Sequence, residues 1–134
     1  MGRYRFVDPE EIRLLLSDGD YIDVKKTLNA GEYRKLLYDQ LKDSSGAPTL
    51  DVSKVGISKI LAYLLGWSFV GREGRPEPYN LEQPEEIRRA LIDNLDQDTY
   101  RELIAAVTAH EEREEAAIAA KKNVPATVSS SSPT

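Results

Sequence analysis

The only histidine of the chain, His110, stands beside glutamates that could share a metal ion or a proton with it. Glu111, Glu112 and Glu114 follow it closely, and members of this group three or four residues apart share one face of a helix. A metal site or a general base needs ligands that converge from several directions, which one helix supplies only in part. We therefore interpret His110 as a boundary residue between a packed and a solvated half of a helix, and we expect no metal site and no enzyme.

Glycines and arginines in the middle of the chain raise the question of a phosphate site. Gly71 and Gly74 lie in GREGR, which lacks the Lys-Ser or Lys-Thr of a phosphate loop and the spacing of a dinucleotide loop, so we expect no cofactor. A local basic patch for an acidic partner is diluted almost one for one by glutamates. The arginines are Arg72, Arg75, Arg88 and Arg89, and the glutamates are Glu73, Glu77, Glu85 and Glu86.

The composition indicates one small cytoplasmic domain. The chain has 134 residues, of which 40% are hydrophobic and 31% charged, enough to bury a core under a solvated surface. Its 18 basic and 23 acidic residues give a net charge of −5, so we expect no nucleic-acid partner. The absence of cysteine fits a reducing compartment. Apolar runs such as 60–65 are far shorter than the roughly 20 residues of a membrane span, and no signal peptide is expected.

Residues 11–25 predict a β-hairpin around Asp18 and Gly19. A two-residue loop would mix apolar and polar side chains on one face. A three-residue loop over 17–19, with Gly19 in the left-handed conformation, instead gives one apolar face and one face of complementary charges. This register pairs Leu14 with Ile22, Ile12 with Val24, Glu11 with Lys25, Arg13 with Asp23, and Leu15 with Tyr21.

Two helices are predicted in the middle of the chain. Asn29 and Glu32 form an asparagine variant of the capping box, which predicts a helix over 30–42. After a loop over 43–49, a second helix begins at a cap on Asp51 or Ser53 and ends at Gly66. The apolar residues of the first helix are Tyr33, Leu36, Leu37 and Leu41, and those of the second are Ile57, Ile60, Leu61, Leu64 and Leu65.

Two further helices are predicted after an irregular loop over 71–83. Pro84 begins the third, which ends near Asn94 or Leu95, and Asp96 or Asp98 caps the fourth. Residues 96–120 hold seven acids and two arginines, a net charge of −5 that equals the charge of the whole chain. The serine-rich segment 123–134 is too small and polar to offset the cost of ordering it, so we expect a disordered tail.

These elements predict an α+β fold that is mostly α, in one domain over 1–122. A hairpin at about 11–25 packs on a small bundle of about four helices, and an acidic helix at about 97–122 projects from the domain. Four candidate partner-binding residues follow: Trp67, Phe69, Tyr79 and Ile118. Trp67 and Phe69 are either core residues or interface anchors. The alanine-rich segment around Ile118 is either a solvated helix or half of a binding face.

Three segments together resemble the tail assembly chaperones of long-tailed, siphovirus-type bacteriophages. The first, SDGDYIDVKKTLNAGEYRKLL over 17–37, is a hairpin followed by a Gly-Glu helix start. The second, ILAYLLGWSFVGREGRPEPYN, is similar to the centre of that family, and DTYRELIAAVTAHEEREE is similar to its C-terminal part. The resemblance covers about 17–123 and rests on structural residues, not on a chemical signature.

The resemblance implies a non-catalytic factor that acts in the host cytoplasm and is absent from the finished virion. Such a factor binds the tape-measure protein, keeps it soluble and helps the tail-tube protein assemble around it; self-association is compatible with this role. Many members also have a longer frameshifted form, for which Lys121, Lys122 and Asn123 are compatible with slippery codons. The alternatives are a head or tail component retained in the virion and a protein-interaction adaptor unrelated to phage.

Overall fold

A computed structural model describes residues 2–42 and 46–131, with side chains as far as Lys121. The helices and strands occur in the order β1 (Glu11–Leu15), β2 (Tyr21–Lys25), α1 (Ala30–Asp39), α2 (Val52–Tyr63), β3 (Leu64–Trp67), α3 (Glu85–Asp93) and α4 (Gln97–Ser131). Single turns of 3₁₀ helix occur at Ser17–Gly19 and at Arg72–Gly74. The three strands form one antiparallel sheet in the order β1-β2-β3, so the predicted α+β, mostly α class is confirmed.

The hairpin has the predicted register in every pair, from Glu11 opposite Lys25 to Leu15 opposite Tyr21. Gly19 has the expected positive φ of 80°, and Asp18 precedes it at 57°. On the polar face, the Arg13 Nε donates to Asp23 Oδ1 at 2.9 Å, and the guanidinium lies 3.8 Å from the centre of the Tyr21 ring. Alternation along the strands therefore sorts apolar side chains to one face and paired charges to the other.

The predicted end of the second helix, at Gly66, is wrong. The helix ends at Tyr63, and Leu64, Leu65 and Gly66 belong to β3, which pairs with β2. In a strand, Leu64 lies opposite Val24 and its side chain is completely buried. The backbone groups on the free side of β2 also gain partners, so pairing with a distant strand overrides the local helical pattern.

The first helix begins as predicted and ends early. Both bonds of the capping box are present, since Glu32 N–H donates to Asn29 Oδ1 at 2.8 Å and Asn29 N–H to Glu32 Oε1 at 2.9 Å. The helix ends at Asp39, not at residue 42, because the chain turns there into a bridge that joins Leu41 to Leu50. Its predicted apolar face is largely solvated: Leu36 is buried, whereas Tyr33 and Leu37 are 54% and 44% exposed.

Acid should weaken the capping box, and replacing Glu32 by glutamine should reduce that effect. Partial burial pushes the pKa of Glu32 upward, but hydrogen bonds from Lys25 and from the backbone of Asn29 outweigh burial and lower the pKa below 4.5. The ionised group therefore stabilises the fold above that pH, and the contribution is lost as the pH falls through the lowered pKa. Urea denaturation across acidic pH measures this. Glu112→Gln makes the same substitution at an exposed side chain of α4 and serves as the control for the substitution itself. Equal slopes in the wild type and in Glu32→Gln would contradict the prediction.

α3 and α4 begin at the predicted signals. α3 follows Pro84 directly, and Asp96 caps α4 by accepting hydrogen bonds from the N–H of Thr99 at 2.8 Å and from its hydroxyl at 2.9 Å. The apolar face of the sheet packs against the helices in one core, as predicted. The buried apolar residues of this core are Leu14, Ile22, Val24, Ile57, Ile60, Leu61, Tyr63, Leu64, Tyr79, Ile92, Leu103 and Val107.

α4 lies along the hairpin and then leaves it. Near its start, Glu102 accepts hydrogen bonds from the Ser17 N–H at 2.7 Å and from the Ser17 hydroxyl at 2.9 Å, at the hairpin turn. Two turns later, His110 lies 3.0 Å from the carbonyl oxygens of Lys25 and Lys26, at the open end of the hairpin. Side chains after Glu114, as far as Lys121, are exposed. The predicted projecting helix therefore extends beyond the sheet.

Of the three segments that are predicted to be irregular, two include residues that the structure does not describe. The loop 43–49 has no helix or strand over 46–49, and 43–45 lie outside the described residues. The backbone of α4 is helical as far as Ser131. Disorder of the tail over 123–134 stays a prediction, and 132–134 lie outside the described residues. The loop 71–83 is irregular as predicted, apart from its 3₁₀ turn.

No helix in the described part of the chain combines the length and apolar character of a bilayer span.

Alkali should weaken the contact between α2 and α4 at Tyr63. Burial, followed by the nearby charges of Glu111 and Glu115, raises the pKa of Tyr63 from 10.0 to about 12. The unfolded chain then ionises before the folded one, so stability is lost as the pH rises from 10.0 to about 12. Phenolate absorbance of the folded protein should show a late-ionising tyrosine that Tyr63→Phe removes. An unchanged titration in that variant would contradict the assignment.

Candidate protein-binding site

Three of the four candidate binding residues come together where β3 ends. Trp67 is the last residue of β3, and Phe69 lies two positions farther along the extended chain. The centre of the Trp67 ring is 5.0 Å from that of Phe69 and 5.0 Å from that of Tyr79, both at tilted angles. Such spacing and tilt are favourable for aromatic pairs, so the three rings form one cluster.

Tyr79 is the inner member of the cluster. It is only 4% exposed and belongs to the core, so it supports Trp67 from behind and does not offer a contact surface itself. Burial raises the pKa of its hydroxyl, and the nearby Arg88 opposes that rise. Within the described part of the chain, the hydroxyl has no hydrogen-bond partner. The sequence interpretation of Tyr79 as a direct contact residue is corrected accordingly.

Trp67 is partly buried, and a backbone carbonyl fixes its orientation. Its indole Nε1 donates a hydrogen bond to the carbonyl oxygen of Glu77 at 2.6 Å. The ring packs against the core on one side, as Phe69 does, while both side chains retain exposed surface. Both alternatives from the sequence, a core residue and an interface anchor, therefore remain open to Trp67, because it closes the core and also reaches the surface.

The outer surfaces of Trp67 and Phe69 line an open groove. Val70 lines it as well, together with Leu91 of α3 and Leu95, which follows that helix. The groove has a volume of about 630 Å³. Its rim is polar and is formed by Arg72, Arg75, Glu77 and Asn94. We call this feature the aromatic groove.

Sequence reasoning did not identify three of the residues that line the aromatic groove. Leu91 and Leu95 are four residues apart, a spacing that places two residues on one face of a helix. They are only partly buried against the core. Val70 is 62% exposed beside the aromatic rings. Val70 directly precedes the polar loop over 71–83, whereas Leu91 and Leu95 lie well beyond that loop, and no sequence pattern specifies that they line one groove.

Ile118 is separate from this groove. It lies on the outer half of α4 and is 46% exposed, and it is not among the residues that line the groove or pack against the core. Of the preceding acidic residues, Glu111 is paired with a cation, since Lys59 Nζ lies 3.1 Å from Glu111 Oε1. Ile118 is therefore accessible on the surface of α4 and lies outside the groove.

The four arginines considered as a basic patch do not meet at one place. Arg72 and Arg75 are on the rim of the aromatic groove, whereas Arg88 and Arg89 line two other cavities. Arg88 Nε donates to the Gln83 carbonyl at 3.1 Å. The arrangement provides two cations beside the aromatic groove and no convergent anion site among the described residues.

His110 is placed in the core and not in a cleft. It is 2% exposed, with Nε2 3.0 Å from the carbonyl oxygens of Lys25 and Lys26, and the ring meets Tyr63 edge-on. Two acceptor carbonyls require that Nε2 carry a proton and donate. No cluster of three or more potential metal ligands occurs within 2–42 or 46–131. His110 thus joins α4 to the end of β2, and the boundary it marks between packed and solvated halves of α4 is confirmed.

The aromatic groove combines partly exposed apolar side chains with charged and polar ones. Such a lining is typical of protein-binding grooves, and four of its residues, Trp67, Phe69, Leu91 and Leu95, also pack against the core. The chain matches no protein-family model, no curated protein and no solved structure.

Proposed function

We propose that this protein is a non-catalytic bacteriophage tail assembly chaperone that holds an apolar segment of the tape-measure protein in its aromatic groove. It keeps that client soluble in the host cytoplasm, assists assembly of the tail-tube protein and is absent from the finished virion. The observation that carries the proposal is the groove itself, an open cavity of about 630 Å³ that is lined by Trp67, Phe69, Val70, Leu91 and Leu95.

The shape and chemistry of the groove favour an apolar helical segment as the bound element. A helix that lays its apolar face in a groove buries side chains spaced three and four residues apart, and it leaves its polar face in water. Exposed Val70 and the partly exposed aromatic rings would exchange water for such side chains. The cations and the glutamate at the rim can pair with charges that flank the apolar segment.

The acidic half of α4 supports the solubilising part of the proposal. Residues 96–120 carry a net charge of −5, from seven acids and two arginines, and two of the acids after His110, Glu112 and Glu115, are exposed. A client bound to the domain would acquire this negative charge. Like-charged complexes repel each other, which opposes aggregation of the long client chains.

Co-expression with the tape-measure protein of the same phage genome tests the proposal. The fraction of tape-measure protein in the soluble lysate should rise with the wild-type chaperone, and the two proteins should copurify through a tag on the chaperone. Val70→Asp introduces a charge into the aromatic groove at a position that is 62% exposed, so the fold should be retained. This variant should lose most of the solubilised client.

Val52→Asp is the matched control, because it makes the same change at a valine that is 83% exposed and does not line the aromatic groove. It should act as the wild type does. A client whose solubility does not respond to the wild-type protein would overturn the chaperone function. Equal activity of Val70→Asp and wild type would leave the function standing and remove the groove from it. Stoichiometric recovery of the protein in purified virions would favour the retained structural component instead.

A further inference from the structure

The first strand leaves one edge of the sheet open. The sheet order is β1-β2-β3, so β2 is covered on both sides and β1 pairs on one side only. The edge of β3 is approached by the following loop, through the hydrogen bond from Trp67 to Glu77 and the close passage of the Tyr79 carbonyl beside Gly66. Within the described residues, no strand or helix pairs with the outer edge of β1.

Hydrogen bonds at both ends of the hairpin determine which backbone groups point outward. Leu16 N–H donates to the Asp20 carbonyl at 2.9 Å, and Lys26 N–H donates to the Glu10 carbonyl at 2.9 Å. Because antiparallel pairs alternate, even-numbered residues of β1 bond to β2 and odd-numbered residues direct their N–H and C=O groups away from it. The outward-directed groups belong to Glu11, Arg13 and Leu15.

We propose that a second copy of this chain binds along this edge. The two β1 strands run antiparallel about a two-fold axis at Ile12, and the two sheets join into one of six strands. Glu11 of each copy lies opposite Arg13 of the other, and these two symmetric pairs exchange the outward main-chain hydrogen bonds. This inference does not depend on the proposed chaperone function.

Charge complementarity selects a second copy as the occupant. The polar face already holds Asp23 beside Arg13 and Lys25 beside Glu11 within one hairpin. In the proposed dimer, the row across the joined sheet reads Asp23 and Arg13 of one copy, then Glu11 and Lys25 of the other. Positive and negative charges alternate along the entire row. The two-fold axis generates a second, equivalent row that begins at Asp23 of the other copy. Opposite charges directly across strands are stabilising.

Neighbouring registers lack this complementarity. Moving the axis to Arg13 places two arginines directly opposite each other, and like charges in that position are destabilising. Moving it to Leu14 places each Arg13 opposite Leu15 and leaves Glu11 without a cation across the new boundary. The spacing of Glu11 and Arg13 therefore specifies one antiparallel register with a second copy.

Apolar contacts accompany the charge pairs. Leu15 is 81% exposed in the single chain, and in the proposed register it lies opposite Pro9 of the second copy. Ile12 meets its own symmetry mate on the core face, where it is only partly buried in the single chain. Pro9 lacks an N–H group and so ends the strand pairing at that point. The shared edge is therefore short and the dimer reversible.

Sedimentation equilibrium over a range of protein concentrations tests the dimer. The wild-type protein should reach twice the 15.0 kDa mass of the chain as concentration rises. Arg13→Glu and Glu11→Arg should each weaken the dimer at least about tenfold, because both place like charges across the boundary. Arg101→Glu, which makes the same charge change on an exposed side chain of α4, should dimerise as the wild type does.

Mixing the two single variants separates loss of the interface from loss of the fold. In a mixed dimer, both charged positions of β1 hold glutamate in the Arg13→Glu chain and arginine in the Glu11→Arg chain, so every pair across the boundary is again of opposite charge. An equimolar mixture should therefore recover the dimer. A wild-type protein that stays monomeric at all concentrations overturns the proposal and leaves the edge to a strand of another protein. Single variants that dimerise as the wild type does, or a mixture that stays monomeric, overturn it as well.

Discussion

Replacing His110 by alanine is expected to lower the free energy of unfolding by about 3–4 kcal/mol. The imidazole is buried between α4 and the end of β2, and its Nε2 lies 3.0 Å from two backbone carbonyl oxygens. Alanine would leave a cavity beside Tyr63 and would deprive both carbonyls of their donor. Each effect alone costs on the order of 1–3 kcal/mol in a buried setting.

His110→Gln is the control that separates the hydrogen bonds from the ring. The glutamine amide can donate from a similar distance along the side chain, so about half of the lost stability should return. Urea denaturation of the three proteins measures the difference. A loss below about 1 kcal/mol in the alanine variant would show that the carbonyls need no donor from α4 and that His110 is not a structural link.

Truncation of Trp67 to alanine should cost about 2–4 kcal/mol, slightly less than the loss of a wholly buried aromatic residue. The ring is only partly buried, yet it lies against Phe69 and Tyr79 and donates to the Glu77 carbonyl at 2.6 Å. Its removal would open the wall of the aromatic groove down to Tyr79. The variant should therefore lose stability and client binding together.

Trp67→Phe tests these two contributions separately. Phenylalanine retains an aromatic ring against its neighbours and removes only the N–H donor, so stability should fall by about 1 kcal/mol and most client binding should persist. Denaturation midpoints and copurification with the tape-measure protein are the measurements. If Trp67→Ala has the stability of the wild type, then Trp67 serves as a contact residue alone and does not close the core.

Local sequence signals were sufficient for the elements whose interactions lie close together along the chain. The hairpin register follows from the alternation of side chains over 11–25 and from one glycine at a left-handed position. The capping box joins Asn29 to Glu32, and Asp96 caps α4 through Thr99. Each of these interactions spans few residues, so little chain entropy opposes it and the local pattern decides the outcome.

Contacts between distant parts of the chain explain what the sequence patterns missed. Leu64 and Leu65 continue a helical apolar pattern, but Leu64 is drawn into a strand by pairing with Val24. The carbonyl partners of His110 lie 84 and 85 residues away, and no periodicity in α4 indicates them. α1 similarly exposes Tyr33 and Leu37, because only the position of α2 determines which residues of α1 are covered.

In the candidate site, too, some features follow from local sequence and others only from contacts between distant parts of the chain. By itself the sequence determined the α+β class, the hairpin register, the helix starts and the aromatic character of Trp67 and Phe69, because these depend on residue type and on short separations. Only the tertiary structure decided that Tyr79 is buried behind them and that Leu91 and Leu95 line an open groove together with them. A groove is formed by surfaces of separate elements, and their relative placement follows from packing of the whole core and not from any one segment.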